Sequence, residues 1–151
     1  MSDNQFAAYE AKCARAAQLN AEILPHNKQV LFKALASAGI TAVTIDFDGF
    51  CDSGSFQEPA AFGAGNAELP LPTTDVTVKT VVFDIGVIGE STTTVRDYME
   101  TLASDFLKDT HSGWENGEGA YGQFRFSLAE HTITLEYNER YVGFDYHEHE
   151  F

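Results

Sequence analysis

At Gly39 the hydrophobic rhythm of the chain changes. Before it, apolar residues recur at helical spacing. From Ile40 onward Val43, Ile45 and Phe47 alternate with Thr44, Asp46 and Asp48, the two-residue period of a strand with one buried face. Long blocks of each rhythm in one chain point to an α+β fold. The expected architecture is an antiparallel sheet of about five to six strands with helices packed on one face, in a single domain over residues 1–151.

Ser2, followed three residues later by Gln5, forms a capping box. With Phe6, Tyr9, Cys13, Ala16, Ala17 and Ile23 at helical spacing, it predicts a helix over 3–24. Pro25 suits the first turn of a second helix over 25–38, with Val30, Leu31, Ala34 and Leu35 as its buried stripe and Gly39 as terminator. Thr94 with Asp97 opens a third over 94–108, whose stripe is Val95, Tyr98, Met99, Leu102, Ala103 and Phe106. Alternation and β-branched content predict strands over 40–47, 55–58, 75–83, 121–128, 132–138 and 140–146. The stretch 59–74 holds three of the four prolines and reads as an irregular surface loop.

An apolar fraction of 44% with 12 Phe and 6 Tyr supplies ample core, so the high charge does not signal disorder. A net charge of −14, from 23 acidic against 9 basic side chains, repels a phosphate backbone; direct nucleic-acid binding is disfavoured and a protein partner is expected. No apolar run approaches the roughly 18 residues of a membrane span. With no hydrophobic leader core ahead of the first helix, the expected compartment is the cytoplasm. There Cys13 and Cys51, in unlike segments, are expected as free thiols, buried or half-buried.

Three segments gather chemistry-bearing residues. The turn Asp46-x-Asp48-Gly49-x-x-Asp52-Ser53-Gly54 places three carboxylates near one bend, an oxygen set that suits a hard divalent cation. It lacks the ligand spacing and closing Glu of an EF-hand, and Asp and Gly also form turns for their own sake. No cofactor is expected, a divalent cation on Asp46, Asp48 and Asp52 being the exception considered. The connection from Gly113 to Gly122 combines Trp114, Glu115, Asn116, Glu118 and Tyr121 with four glycines and reads as a contact loop or a core closure around Trp114. The third is Asn138 to Tyr141, with Arg140. In the tail, His147 and His149 stand two apart and would face one side of a strand, a weak pattern for a metal without a third ligand. Motifs for nucleophilic catalysis, phosphate cradling and zinc hydrolysis are missing, which disfavours an enzyme.

These residues carry a resemblance. The Asp-Gly-x-x-Asp-Ser-Gly turn at 48–54, Gly113-Trp114-Glu115-Asn116 running into Gly119-Ala120-Tyr121-Gly122-x-Phe124, Glu136-Tyr137-Asn138-Glu139-Arg140-Tyr141 and the ending Glu148-His149-Glu150-Phe151 resemble an uncharacterised family of small proteins. Its members are found on bacterial plasmids, mobile elements and phages and are known as a domain of unknown function. The Leu24-Pro25-x-Asn27-Lys28 segment belongs to the same likeness, while Cys51 and the insert 59–74 depart from it. The resemblance implies no activity, substrate or catalytic residue. It implies a setting in which an accessory interaction is more plausible than central metabolism.

Together these readings lead to an interaction module with a polar-rimmed contact surface made of Asp46, Asp48, Asp52, Ser53, Trp114, Glu115, Asn116, Tyr121, Arg125, Asn138 and Arg140. If the strands at 40–47 and 121–128 share a sheet, Asp46, Asp48, Gln123 and Arg125 project from its open face, with Arg125 as the expected counter-ion. Two alternatives stay open: an acidic mimic of DNA, and a metal-dependent hydrolase built on Asp46, Asp48 and Asp52 with Glu115 or Glu118.

Overall fold

The computed structural model describes residues 2–143 and 146–150. The element order is α1 (Asp3–Ser37), β1 (Ala42–Phe50), β2 (Ser53–Phe56), β3 (Ala60–Phe62), β4 (Glu68–Leu69), β5 (Asp75–Val82), β6 (Val87–Thr94), α2 (Val95–Thr110), β7 (Ala120–Ser127) and β8 (Thr132–Glu139). Six strands make one antiparallel sheet in the order β4-β3-β1-β7-β8, with β2 also paired to β1; β5 and β6 form a separate two-stranded sheet. The fold is α+β, as the change of hydrophobic period requires.

The two expected helices at 3–24 and 25–38 are one helix, Asp3–Ser37, with Pro25 inside it. An interior proline removes one hydrogen bond at a cost of about 3 kcal/mol. That cost is offset because the buried positions Leu19, Ile23, Asn27, Leu31 and Leu35 recur every fourth residue straight through Pro25, so both halves are held against the same core. At the N-terminus Ser2 and Gln5 make the expected capping box. The stripe expected in the first half packs only at its C-terminal end, where Ile23 is buried and Ala16 half-buried: Phe6 and Tyr9 are 54% and 51% exposed, and Cys13 and Ala17 are exposed too. Both cysteines are free, but on the surface rather than half-buried.

Val43, Ile45 and Phe47 of β1 and Phe124 and Phe126 of β7 are buried in one cluster with Leu31 and Leu35 of α1 and Val95, Met99, Leu102, Ala103 and Leu107 of α2. The register that achieves this sets Ala42 opposite Ser127 and Gly49 opposite Ala120. Residues of even number on β1 then share the outer face with odd-numbered residues of β7.

The expected strand at 75–83 exists, but it pairs with a strand at 87–94 that has no clear alternation, and the two make a hairpin outside the main sheet. Asn27, the one buried polar residue among those described, ties this hairpin to α1: its Nδ2 donates to the Lys79 carbonyl and its Oδ1 accepts from the Lys79 amide, both at 2.8 Å. The stretch 59–74 is more regular than its prolines suggest, since β3 and β4 lie within it. Residues 140–143 and 146 form no strand, and the rest of the expected strand 140–146 falls at 144–145, outside the described residues. Among the described residues no helix is long and apolar enough to cross a membrane.

Candidate functional site

Between β1 and β2 the chain reverses in two residues, Cys51 and Asp52, with φ of 51° and 63°. A two-residue hairpin loop with both residues at positive φ matches the twist of its strands, and glycine or asparagine normally supplies it. Here two side-chain-bearing residues hold a conformation that costs about 1 to 2 kcal/mol each. The loop after α2 holds them there. Cys51 N donates to Gly117 O at 3.1 Å, Asp52 N donates to Glu115 O at 3.0 Å, and Gly117 N reaches back to Asp52 Oδ1 at 3.4 Å.

The two distinctive sequence segments therefore meet. Trp114 lies between them, edge-on to Phe47 at 5.4 Å and tilted against Phe56 at 6.2 Å, with its ring packed on Gly49 and Gly54. A β-carbon on Gly54 would collide with that ring, and one on Gly119, whose φ is 74°, would overlap the Gly49 carbonyl. Glycine at these positions is thus required by close approach. Trp114 is a half-buried keystone of the junction rather than an open contact residue.

Arg140, just past β8, completes the junction from below. Its backbone amide donates to Gly119 O at 2.9 Å, and Nη1 donates to Gly49 O at 3.0 Å. The same nitrogen stands 2.8 Å from Asp48 Oδ1, and the guanidinium lies 4.7 Å from the centre of the Tyr121 ring. The counter-ion of the acidic turn is therefore Arg140. The expected partner, Arg125, lies opposite Thr44, two residues along the face from Asp46 and four from Asp48, and is exposed. Asp46 is held instead by Gln123, whose Nε2 donates to Oδ1 at 2.8 Å. Asn138, paired with Tyr121 across the ladder, directs Nδ2 to the Tyr121 carbonyl at 3.4 Å.

Two shallow clefts flank the Arg140–Asp48 pair. On the open face of the sheet, Asp46, Asp48, Tyr121, Gln123, Glu136 and Asn138 line one of about 370 Å³. On the loop side, His111, Trp114, Asn116, Glu118, Glu139 and Arg140 line one of about 430 Å³. His111, the C-cap of α2, stacks flat on Tyr137 with ring centres 3.6 Å apart and planes 4° from parallel. Burial, then the nearby Glu139 and Glu115 carboxylates, raise the Tyr137 hydroxyl above its ordinary pKa, so it stays a neutral hydrogen-bonding group.

Of the expected residues, Asp46, Asp48, Tyr121, Asn138 and Arg140 come together on or beside the open face; Asn116 opens onto the loop-side cleft. Asp52 serves the junction through its amide and its carboxylate, Glu115 through its carbonyl, and Ser53 pairs with Phe50 in the hairpin ladder. Among the described residues no group of three or more His, Cys, Asp or Glu side chains is placed to hold a metal ion, and Asp46, Asp48 and Asp52 are each engaged by a different partner. His147 and His149 lie in a segment without regular structure, so no strand aligns them. His111 and Gln123 join the site without a motif, while Glu136 and Tyr137 belong to the stretch 136–141 that carries the family resemblance but were not singled out as site residues. Gln123 was marked only by its outward place in the alternation, and His111 only by following the last turn of a helix.

No curated protein and no solved structure matches the chain. The match lies with a family of unknown function, DUF6878, over residues 23–151, which takes in the sheet, α2, the hairpin turn, the Trp114 loop and Arg140; the chain belongs to that family.

Proposed function

We propose that the chain is a non-catalytic interaction module whose contact surface is the polar face formed by Asp46, Asp48, Tyr121, Gln123, Glu136 and Asn138, with Arg140 at its edge. The observation that carries this reading is the spending of two positive-φ residues and a half-buried tryptophan on fixing the strand ends that present the face. Rigid presentation lowers the ordering cost of binding. Carboxylates and amides standing around one exposed aromatic ring, the Tyr121 phenol, resemble the mixed composition of transient protein contacts. Because the acids alternate with amides and are partly neutralised by Arg140, the face favours a partner protein with basic residues over mimicry of a continuous phosphate row. The mobile-element setting implied by the sequence resemblance fits an accessory role of this kind.

Affinity capture from lysate of the source cells tests the reading, with Asp46→Lys/Glu136→Lys as the control because both side chains are exposed or half-exposed and neither belongs to the core. Support is a protein retained by the wild type and lost by a control whose circular dichroism is unchanged. Equal retention by both, or by neither, refutes it. Trp114→Ala is a poor control, since it dismantles the junction itself.

A further inference from the structure

Helix α1 is 35 residues long, about 52 Å at 1.5 Å per residue, and only its C-terminal part is needed for the core. Residues 3–18 are exposed apart from half-buried Ala16, and the family match begins at residue 23, near where the buried stripe takes over. The N-terminal half is thus an arm. It is not bare of apolar residues: Phe6 and Tyr9 share a face with Cys13, one turn on. Tyr9 meets Phe83 at the tip of the β5–β6 hairpin with ring centres 6.1 Å apart, and the Arg15 stem lies over Gly86. Around that contact Val82, Phe83, Ile85 and Val87 expose 38–69% of their surfaces, beside Phe6 and Tyr9 at 54% and 51%.

We propose that this patch is the interface between two copies of the chain, packed arm to arm about a two-fold axis. Six large apolar side chains so exposed offer several hundred Å², at or above the largest patch of a typical monomer and a large part of the ~800 Å² that each partner gives to a standard interface. A helix half supported only along one edge is marginal in water, and a second arm supplies the missing packing. Charge chooses the occupant. The chain carries −14, yet the arm sets Lys12 and Arg15 against Asp3 and Glu10 and the hairpin tip adds only Asp84, so two copies meeting through this nearly neutral patch approach where repulsion is least. An anionic membrane would repel the rest of the molecule, and a basic protein would be drawn to the acidic sheet face instead. The same patch on both copies is self-complementary, as a two-fold contact requires.

Sedimentation equilibrium of the full chain tests this, comparing wild type with Tyr9→Glu/Ile85→Glu. The expected result is a wild-type dimer at micromolar concentration and a variant whose dimer dissociation constant rises about a hundredfold or more, with helix content and Trp114 emission retained. Phe6→Lys, on the exposed arm and outside the core, gives the answer if the double variant misfolds. A monomeric wild type, or a dimer that survives Phe6→Lys and the double variant alike, overturns the proposal. So does a monomer that instead binds phosphatidylcholine vesicles, which would assign the patch to lipid.

Discussion

Arg140 Nη1 stands 2.8 Å from Asp48 Oδ1 while donating to the Gly49 carbonyl at 3.0 Å, so one guanidinium joins the last strand's exit to the acidic hairpin. The two partners contribute unequally. Asp48 is 53% exposed and Arg140 33%, and an ion pair so wetted contributes within about 1 kcal/mol. Asp48→Asn should therefore leave stability within that margin, and the small difference should shrink in high salt. Arg140→Ala also loses a hydrogen bond and the Tyr121 ring contact and should cost about 1 to 3 kcal/mol, a loss that persists in salt. Urea unfolding at low and high ionic strength checks both.

Gly54→Ala should drive Trp114 from its seat. The added methyl collides with the ring, and overpacking of this kind costs about 1 to 3 kcal/mol. Since Trp114 is the only tryptophan, its emission should shift to the red in the folded variant. In a Trp114→Ala background the same glycine change should cost much less, and a double-mutant cycle measures the coupling.

Asn27→Ala removes both hydrogen bonds to Lys79 and leaves the half-buried Lys79 amide and carbonyl without their partners. The expected loss is about 2 to 4 kcal/mol, large for one exchange on a helix. It should fall first on the β5–β6 hairpin. Amide hydrogen exchange at Lys79 and Thr80 should accelerate well before that of β1 and β7.

Tyr98 gives the protein an alkaline limit. Its hydroxyl is pushed up to about 12, chiefly by burial, with Asp105 adding to the rise and a hydrogen bond from Asn27 opposing it. The folded value lies above the ordinary 10, so the stabilisation is complete below pH 10 and is lost as pH rises through about 12. Two units correspond to roughly 3 kcal/mol. Tyr98→Phe keeps the ring and should flatten the fall of stability between pH 10 and 12. Absorbance titration should show one of the 6 tyrosines ionising last in the wild type and missing from the variant.

What the sequence could and could not carry follows from the range of the forces involved. The capping box at Ser2, the N-cap at Thr94, the alternation of β1 and β7 and their buried faces were all legible, because each depends on residues within one or two turns or along one strand. Pro25 misled for the same reason: its local preference for a first turn was outweighed by Leu19, Ile23, Asn27 and Leu31, anchored to elements far along the chain. β6 escaped notice because Gly89, Ser91 and the three threonines that follow have no hydrophobic period, and the strand exists only as a partner to β5.

At the site, sequence by itself determined that Asp46 and Asp48 share the open face and that Phe47 does not, since alternation along a strand is fixed by backbone geometry. It also gathered polar and aromatic residues of the site in the turn at 48–54 and the Trp114 loop. Only the tertiary structure decided that the two meet, that Trp114 is spent on joining them, and that Asp48 is answered by Arg140 rather than Arg125. Which charge answers which depends on the register between β1, β7 and β8 and on where the chain leaves the sheet. Those are set by packing of the whole core, and no short-range pattern encodes them.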